Sequence, residues 1–208
     1  MSAVSVNAWM EAASAAIAAD AERLTQLDSA IGDGDHGTNL TRGFRAVVEA
    51  LAGSEEPAPG RRLILAGKTL VSKVGGASGP LWGMALRRAG RAVADAESLD
   101  GPALADALEA ALAGVVELGS AEPGDKTMVD ALTPATQALR AAVDAGQPLA
   151  DAVAAATSAA EEGARSTVPL QARKGRASYL GERSIGHEDP GAASTVLIIA
   201  ALGRALEE

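Results

Sequence analysis

The sequence predicts an all-α protein, an antiparallel bundle of eight amphipathic helices that forms one domain over residues 1–208. Apolar residues recur at intervals of three and four along most of the chain, which is the spacing of one helix face. Alternating patterns typical of strands are absent, apart from the short run 196–199, which lies among Ala and Leu. Aromatic residues make up only 2% of the chain, so Ala and aliphatic side chains must fill the core, and small side chains let helices approach closely.

The first four helices follow from this spacing. Trp9, Ile17, Leu24 and Ile31 lie on one face of a single first helix, for which Ser5 is the expected N-cap. The second, third and fourth helices are expected at 38–51, 60–74 and 80–96.

The other four helices have similar markers. Asp100 is a suitable N-cap for the fifth helix, with Pro102 in its first turn and Leu104 and Leu108 on one face. Short polar connections favour antiparallel neighbours. The sixth, seventh and eighth helices are expected at 127–144, 149–165 and 192–206.

Three connections differ from the plain loops of a helical bundle. They are rich in Gly and lie at 31–39, 73–80 and 166–191, and a further notable turn, at 122–128, precedes the sixth helix. Ordering a long flexible loop costs conformational entropy. Functional residues are therefore expected in these segments.

The loop at 31–39 brings three carboxylates together. Asp28 ends the first helix, and Asp33 and Asp35 follow it in a loop punctuated by Gly. The three carboxylates repel one another unless a cation lies between them. A hard divalent ion suits this position, because it prefers oxygen ligands. The simpler interpretation is an Asp/Gly turn in which Asp35 or Thr38 only caps the next helix.

A calcium loop of the EF-hand type does not fit these residues. With Asp33 at position 1, position 6 is Thr38 where Gly is needed, and position 12 is Phe44 where a bidentate Glu is needed. Magnesium, which shares its coordination shell with substrate phosphates, fits the spacing better.

Two other residues have competing interpretations. His36 lies inside the acidic loop, where it either donates to a phosphate or caps a turn. Lys68 follows Gly67 as in a Walker A motif, but the Gly required five positions earlier is Arg62. Lys68 is therefore expected to be a solvated helix residue.

Two more loops are candidates for phosphate contact. The segment 75–79, GGASG, precedes a helix, so its backbone N–H groups either face an anion or belong to a flexible turn. The long segment 166–191, called the basic loop below, is either a solvated connection or a lid over phosphates. Its cationic residues are Arg173, Lys174, Arg176 and Arg183.

Charge and composition limit the partners. The net charge is −9, which disfavours nucleic acid because a polyanion is repelled. The chain has no cysteine, so disulfides and thiolate metal sites are excluded. Its start does not have the pattern of a signal peptide, and no apolar run reaches the roughly 18 residues of a membrane span. The cytoplasm is the expected location, and no membrane partner is expected.

Four segments together resemble one family. They lie at 27–44, 75–83, 122–132 and 175–195, in order along nearly the whole chain, and resemble the nucleotide-binding L subunit of dihydroxyacetone kinases. The resemblance implies a barrel of eight antiparallel amphipathic helices, with ADP or ATP at one end and two Mg²⁺ ions between its phosphates and the aspartates. It also implies that residues 1–208 form a single ADP-binding domain of the free-standing subunit.

The resemblance also assigns roles to individual residues. The metal ligands would be Asp28, Asp33 and Asp35. The phosphate contacts would come from His36, Thr38, Asn39, Ala77 and Ser78. The adenine side would be lined by Gly119 and Met128, and the nucleotide would be covered by Arg176, Asp189, Pro190 and Gly191.

The implied activity is transfer of a phosphoryl group to dihydroxyacetone held on a partner subunit. A second implied partner is a phosphohistidine phosphocarrier, fed from phosphoenolpyruvate, which recharges ADP in place. Two alternatives stay open: an ATP-exchanging subunit that acts on a related ketose such as erythrulose, and a non-enzymatic helical module for an apolar ligand. The acidic cluster argues against the last, because an apolar ligand has no need of three carboxylates.

Overall fold

The computed structural model describes residues 2–207, which form a closed barrel of helices. Within this range the α-helices are α1 (Val6–Ala19), α2 (Ala21–Ile31), α3 (His36–Ala52), α4 (Pro59–Lys73), α5 (Ser78–Ala92), α6 (Gly101–Gly119), α7 (Met128–Asp144), α8 (Leu149–Ser166) and α9 (Pro190–Ala200). Eight of these helices form a ring in chain order, in which α1 packs against α3, each later helix packs against the next, and α9 packs back on α1. The short α2 lies beside the ring, against α3 and α9. The predicted all-α fold is confirmed, and most predicted helices lie close to their expected bounds.

The predicted first helix is two helices in the structure. α1 ends at Ala19 and α2 begins at Ala21, with Asp20 between them. Buried Ile17 and Leu24 are on opposite sides of this break but keep the helical spacing, so the apolar pattern did not reveal it. Because α2 packs against both α3 and α9, the break brings its last turn to one end of the barrel.

The predicted last helix begins earlier and ends sooner than expected. α9 starts at Pro190 and gives way to a 3-10 turn, Ala201–Arg204. After it, Leu206–Glu207 (β2) pairs antiparallel with Ala3–Val4 (β1). Two-residue strands at opposite ends of the described chain have no alternating pattern, so this pair was not predicted.

Two contacts hold the barrel closed. The Trp9 indole on α1 donates a hydrogen bond to the Ile198 carbonyl on α9 at 2.8 Å. On the other side, α4 and α5 touch through glycines, since a Cβ built on Gly67 would lie 2.6 Å from the Gly83 carbonyl oxygen. Gly60 and Gly90 form a second such pair one heptad away, which fixes α4 and α5 as antiparallel neighbours.

The basic loop is anchored at both ends and has structure of its own. The Ala172 N–H donates to the Ser184 hydroxyl at 2.9 Å, and the Gly186 N–H donates to the Val168 carbonyl at 2.8 Å. Between these anchors, Arg176–Ser184 forms 3-10 turns. Over residues 2–207, none of the helices combines the length and apolar character needed to cross a membrane.

Candidate functional site

The acidic loop between α2 and α3 is organised by Asp28. This residue is buried in the last turn of α2, and its Oδ2 accepts the backbone N–H groups of Asp35 at 2.9 Å and His36 at 3.1 Å. Gly34 has a φ of +74°, and a Cβ there would lie 2.6 Å from the Ser29 hydroxyl. The turn therefore requires Gly, and it holds the start of α3 against the end of α2.

Asp28, Asp33 and Asp35 form a cluster that can hold a metal ion. One carboxylate oxygen from each lies within 4.8 Å of the other two. Asp33 and Asp35 are exposed and open to the cleft, whereas Asp28 is buried behind them. Three convergent carboxylate oxygens suit a hard divalent cation such as Mg²⁺, and the open side leaves room for phosphate oxygens and water. The donor set therefore fits the predicted magnesium.

Arg176 reaches this cluster from the basic loop. Its Nη2 lies 3.0 Å from Asp33 Oδ2. The guanidinium side chain is 69% exposed, so the pair contributes little stability and can separate. A mobile cation beside the carboxylates is suited to shift onto phosphate oxygens once a metal ion balances Asp33.

A cleft of about 430 Å³ opens beside the acidic cluster. Its polar wall contains the acidic loop, the glycine loop before α5 and part of the basic loop. Its other side is apolar, so the cleft can hold a molecule that is charged at one end and flat and apolar at the other. The apolar lining comes from Ile31, Leu81, Trp82, Val115, Leu118, Ala121, Met128 and Val129.

Most of the predicted site residues line this one cleft. They are Asp28, Asp33, Asp35, His36, Ala77, Ser78, Gly119, Met128, Arg176, Asp189, Pro190 and Gly191. Thr38 and Asn39 are not part of its lining. Thr38 is exposed in the first turn of α3, and buried Asn39 accepts a hydrogen bond from Arg42 at 2.8 Å beside the glycine loop.

His36 lies buried between two hydroxyl groups. Its Nδ1 is 3.1 Å from the Ser78 hydroxyl at the start of α5, and its Nε2 is 2.9 Å from the Ser194 hydroxyl on α9. Burial lowers the pKa of the ring and outweighs the opposing effect of Asp28 and Asp35. The imidazole is therefore neutral at pH 7. The predicted phosphate contact of His36 would have to displace one of these hydroxyls, because the His36 backbone N–H already donates to Asp28 Oδ2.

A group of buried charges at the wall of the cleft, centred on Lys126, is not predicted by the sequence. The Lys126 ammonium donates to the backbone carbonyls of Thr167, at 2.7 Å, and His187. It thereby joins the two ends of the basic loop to the start of α7. Nearby, Asp130 accepts the Thr127 N–H at 2.8 Å in a capping box. The sequence marks the turn at 122–128, but it gives no sign of a role for Lys126, because the partners of Lys126 lie more than forty residues away.

Asp189 caps α9 next to these charges. Its Oδ2 accepts the Ala192 N–H at 2.7 Å. Burial raises the pKa of this carboxyl to about 7, and Asp130 and Asp28 act in the same direction, against the Ala192 hydrogen bond and Lys126. The predicted turn Asp189-Pro190-Gly191 thus starts α9, and all three of its residues line the cleft.

Fold and site together define a class: a helical barrel that gathers carboxylates and helix N-termini at one cleft, suited to a divalent cation and phosphate groups. Residues 30–204 match the family model described as the DAK2 domain. The chain belongs to the DAK2 domain family.

Relatives of similar length match nearly the whole chain. The chain is 45% identical over 200 residues to the ADP-binding subunit DhaL of the PEP-dependent dihydroxyacetone kinase of Escherichia coli strain K12, covering 96% of this chain and 95% of that protein. It is 42% identical over 195 residues to the corresponding subunit of dihydroxyacetone kinase 1 of Listeria innocua serovar 6a, covering 93% and 92%.

Longer proteins contain a similar region. The L-erythrulose 1-kinase of Mycolicibacterium smegmatis is 41% identical over 193 residues, which cover 91% of this chain but 34% of that protein. Among solved structures, the dihydroxyacetone kinase of C. freundii in its native form has a TM-score of 0.75 and 28% identity over 95% of this chain. Its complex with AMP-PNP and Mg²⁺ has a TM-score of 0.74 at the same identity. The chain spans about a third of both solved chains.

Proposed function

We propose that this chain is the ADP-binding subunit of a PEP-dependent dihydroxyacetone kinase, which passes a phosphoryl group from magnesium-bound nucleotide to dihydroxyacetone on a partner subunit. The observation that carries this proposal is the convergence of Asp28, Asp33 and Asp35 beside a cleft lined by the starts of α3, α5, α7 and α9. The near full-length similarity to subunits of this name in two bacteria supports it.

The residues of this chain would contribute positioning and charge balance. Asp28, Asp33 and Asp35 would hold two magnesium ions, which when bound neutralise charge that develops on the transferred group. Arg176 would leave Asp33 and lie against the phosphates. Since phosphoryl transfer needs little covalent help from the protein, such positioning accounts for the role of one subunit.

The nucleotide would lie along the cleft from its polar to its apolar wall. Backbone N–H groups at Ala77 and Ser78 lie at the start of α5 and suit phosphate oxygens. His36 would join them after a local adjustment, because its backbone N–H donates to Asp28 in the present arrangement. Thr38 and Asn39 would complete this side after a local adjustment, because neither lines the cleft in the present arrangement. The adenine would meet Gly119 and Met128, and Asp189, Pro190 and Gly191 would close over it.

Two partners follow from the proposed function. One is a dihydroxyacetone-binding subunit that presents the sugar to the open end of the cleft. The other is a phosphohistidine phosphocarrier protein that recharges bound ADP. Since phosphoenolpyruvate is an intracellular metabolite, we infer a cytoplasmic location.

A second candidate has some support. The similar region of M. smegmatis erythrulose kinases, at 41% and 40% identity, suggests an ATP-dependent subunit for a related ketose. We rank it second, because the present chain covers 34% and 33% of those proteins but 95% and 92% of the PEP-dependent subunits of E. coli and of L. innocua kinase 1.

Calorimetric titration with ADP, with and without Mg²⁺, tests the metal site. We expect Asp33→Ala and Asp35→Ala each to weaken ADP binding by more than roughly 100-fold, because loss of even an outer-shell partner of a metal costs about 10- to 100-fold. The control is Asp95→Ala, which removes an exposed carboxylate outside the cleft. Circular dichroism should show unchanged helix content in all three. Affinity like that of the wild type in either cluster variant would disprove the metal assignment.

A further inference from the structure

Lys126 is buried at the wall of the cleft, with 1% of the residue exposed. Its Nζ donates to the carbonyls of Thr167, at 2.7 Å, and His187, and the Val168 carbonyl lies 3.5 Å away. An ammonium group has three N–H donors and no acceptor. Three backbone carbonyls therefore occupy these donors, and none is left for a phosphate in the cleft.

The three carbonyls belong to both ends of the basic loop. Thr167 and Val168 lie at its start, and His187 lies near its end. The Thr167 hydroxyl also accepts the backbone N–H of Asp189 at 3.0 Å, and the Val168 carbonyl accepts that of Gly186 at 2.8 Å. One ammonium group on the turn before α7 thus joins the segment that leaves α8 to the segment that enters α9.

The backbone of Lys126 is in a conformation that favours glycine. Its φ is +62°, in the left-handed region where a residue with a Cβ is strained. Gly124, two residues earlier in the same turn, has a φ of +95°. Glycine would suit position 126 equally well as far as the backbone is concerned, so the contacts of the buried side chain must offset the strain.

The residues that follow the contact with His187 shape the cleft. Asp189, Pro190 and Gly191 all line it. A Cβ built on Gly191 would lie 3.5 Å from the backbone nitrogen of Met128, so the first turns of α7 and α9 are in contact. The ammonium group therefore lies where it can hold these two helix starts and the loop ends in one arrangement.

We propose that Lys126 is a positioning residue that fastens both ends of the basic loop to the start of α7 and does not itself contact the nucleotide. With its ends held, the loop opens and closes only in its middle, where Arg176 lies. The fastening of the loop does not depend on the proposed function, whereas its effect on ADP rests on it.

The ammonium group can be observed in the wild-type protein. The other lysines, Lys68, Lys73 and Lys174, are exposed or partly exposed, so their ammonium protons exchange rapidly with water. Lys126 should give a slowly exchanging ¹H–¹⁵N side-chain signal at neutral pH, assigned by its loss in Lys126→Met. The signal should persist when ADP and Mg²⁺ are added, without ¹⁵N–³¹P coupling. Absence of the signal from the free protein, or a ¹⁵N–³¹P coupling in the complex, would overturn the proposal.

Lys126→Met removes the ammonium group and keeps an unbranched side chain. In the ligand-free variant we expect amide hydrogen exchange at Gly186 and Asp189 to be faster by roughly tenfold or more, the effect expected for loss of hydrogen bonds to a charged group. Release of ADP with Mg²⁺ should be faster by a similar factor. The control is Lys68→Met, which removes an exposed lysine outside the cleft and should change neither rate.

A restored ammonium group should restore both rates. The chain has no cysteine, so Lys126→Cys carries a single thiol, which can be alkylated in urea before refolding. Alkylation with 2-bromoethylamine gives a lysine-like side chain with sulfur in place of one methylene. Alkylation with 1-iodopropane gives a side chain of the same length without the charge. We expect rates like those of the wild type in the first product and like those of Lys126→Met in the second.

Three results would overturn the role of Lys126. One is equal rates in the two alkylated products, and another is release of ADP from Lys126→Met at the rate of the wild type. The third is exchange at Leu104, a buried amide bonded to Asp100 in the first turn of α6, that accelerates as much as exchange at Gly186, because it would indicate a general loss of stability.

The outcomes also separate this inference from the proposed function. Failure of the wild type to bind ADP with Mg²⁺ would count against the proposed function, and the exchange rates of the ligand-free proteins would still decide whether Lys126 fastens the loop. If the variants at position 126 do not fold, the ammonium signal of the wild type remains the deciding measurement.

Discussion

Asp189 is a buried acid whose pKa is raised, and this gives the protein a specific pH dependence. Its pKa is about 7 in the folded protein and 3.8 as a free group, so between these values the folded state binds more protons than the unfolded state. The corresponding stability is fully present below about pH 4 and is lost as the pH rises through about 7. His36 acts in the opposite sense, because its lowered pKa costs stability as the pH falls below 6.5.

Asp189→Asn isolates the contribution of Asp189. Asn is an equally good N-cap for α9 but does not ionise. In metal-free buffer, the variant should gain stability relative to the wild type between about pH 4 and pH 7, by up to roughly 4 kcal/mol, since one pKa unit corresponds to about 1.4 kcal/mol. Urea unfolding across this range measures the difference, and the contribution of His36 cancels between the two proteins.

The control is the aspartate that caps α6. Asp100 accepts the Ala103 N–H at 3.0 Å at a partly exposed position, so Asp100→Asn measures the effect of replacing a helix-capping carboxyl group with an amide. A difference between Asp189→Asn and the wild type that stays constant with pH would show that Asp189 ionises normally.

Individual residues differ in how far the sequence could predict them. The spacing of Asp28, Asp33 and Asp35 was enough to predict that their carboxylates lie together. All three lie within eight residues, between the end of α2 and the start of α3, so local geometry determines their positions. Lys126 could not be interpreted in the same way. Its partners Thr167 and His187 come close only when α7, α8 and the basic loop have packed.

Helix spacing within the barrel depends on glycine at the contact of α4 and α5. Replacing Gly67 with Ala would place its Cβ 2.6 Å from the Gly83 carbonyl oxygen, which is backbone and cannot move away without shifting α5. Ala gains about 1 kcal/mol in helix propensity, but overpacking costs typically 1–3 kcal/mol or more. We expect Gly67→Ala to be destabilised by roughly 1–2 kcal/mol in urea unfolding followed by circular dichroism.

Gly53 is the matched control for this prediction. It ends α3, and a Cβ there would be 3.6 Å from the nearest heavy atom, the Glu49 carbonyl oxygen, an ordinary contact. Gly53→Ala should therefore stay within roughly 0.5 kcal/mol of the wild type. Equal stability of the two variants would show that α4 and α5 do not pack through their glycines.

The sequence predicted which segments are helical better than it predicted where each helix begins and ends. Apolar spacing located the helices of the barrel because one face of each must be buried. The break at Asp20 was missed because Ile17 and Leu24 keep the same period on both sides of it. The end of α9 was missed because β2 pairs with β1, and a contact between distant segments leaves no local pattern.

The basic loop should respond to nucleotide in its middle and not at its anchors. Arg176 pairs with Asp33 at an exposed position, which restrains the loop weakly. We expect amide hydrogen exchange across the 3-10 segment Arg176–Ser184 to slow when ADP and Mg²⁺ are added, as Arg176 moves to the phosphates. The amides of Ala172 and Gly186, already hydrogen-bonded, should be protected in both states.

Arg183→Gln is the control for the exchange experiment. Arg183 is an exposed cation of the same loop that does not line the cleft, so the variant should keep the response to nucleotide, whereas Arg176→Gln should lose it. If exchange in the wild type is the same with and without nucleotide, the loop is a plain solvated connection.

At the scale of the whole molecule, the net negative charge of the chain must be offset locally before a nucleotide can bind. A chain of net charge −9 repels a nucleotide diphosphate, and the barrel places three carboxylates where the phosphates would lie. Closure of the ring brings the starts of α3, α5, α7 and α9 to the same cleft. Together with Arg176 and the proposed metal ions, these helix starts would make the local potential positive. Such closure depends on every helix contact, so it could be expected from family resemblance but not from local spacing.

The same arrangement bears on whether the nucleotide is a coenzyme or an exchanging substrate. Release of a nucleotide held by metal ions, helix N-termini and the basic loop must break several charge-assisted contacts together, which makes dissociation slow. Slow release suits ADP that is recharged in place by a phosphocarrier. It does not suit ATP that must exchange at each turnover.

The expected result is therefore turnover with phosphoenolpyruvate and not with ATP alone. The purified protein is mixed with its dihydroxyacetone-loaded partner subunit in two vessels, one supplied with ATP and the other with phosphoenolpyruvate and the phosphocarrier proteins, and dihydroxyacetone phosphate is measured. With ATP we expect about one product per protein molecule and then a stop, because ADP stays bound. With phosphoenolpyruvate we expect sustained turnover, which Asp35→Ala should abolish. Rapid multiple turnover with ATP alone would refute the coenzyme role and favour the ATP-dependent kinase, because free exchange requires that the contacts around the nucleotide open within each cycle.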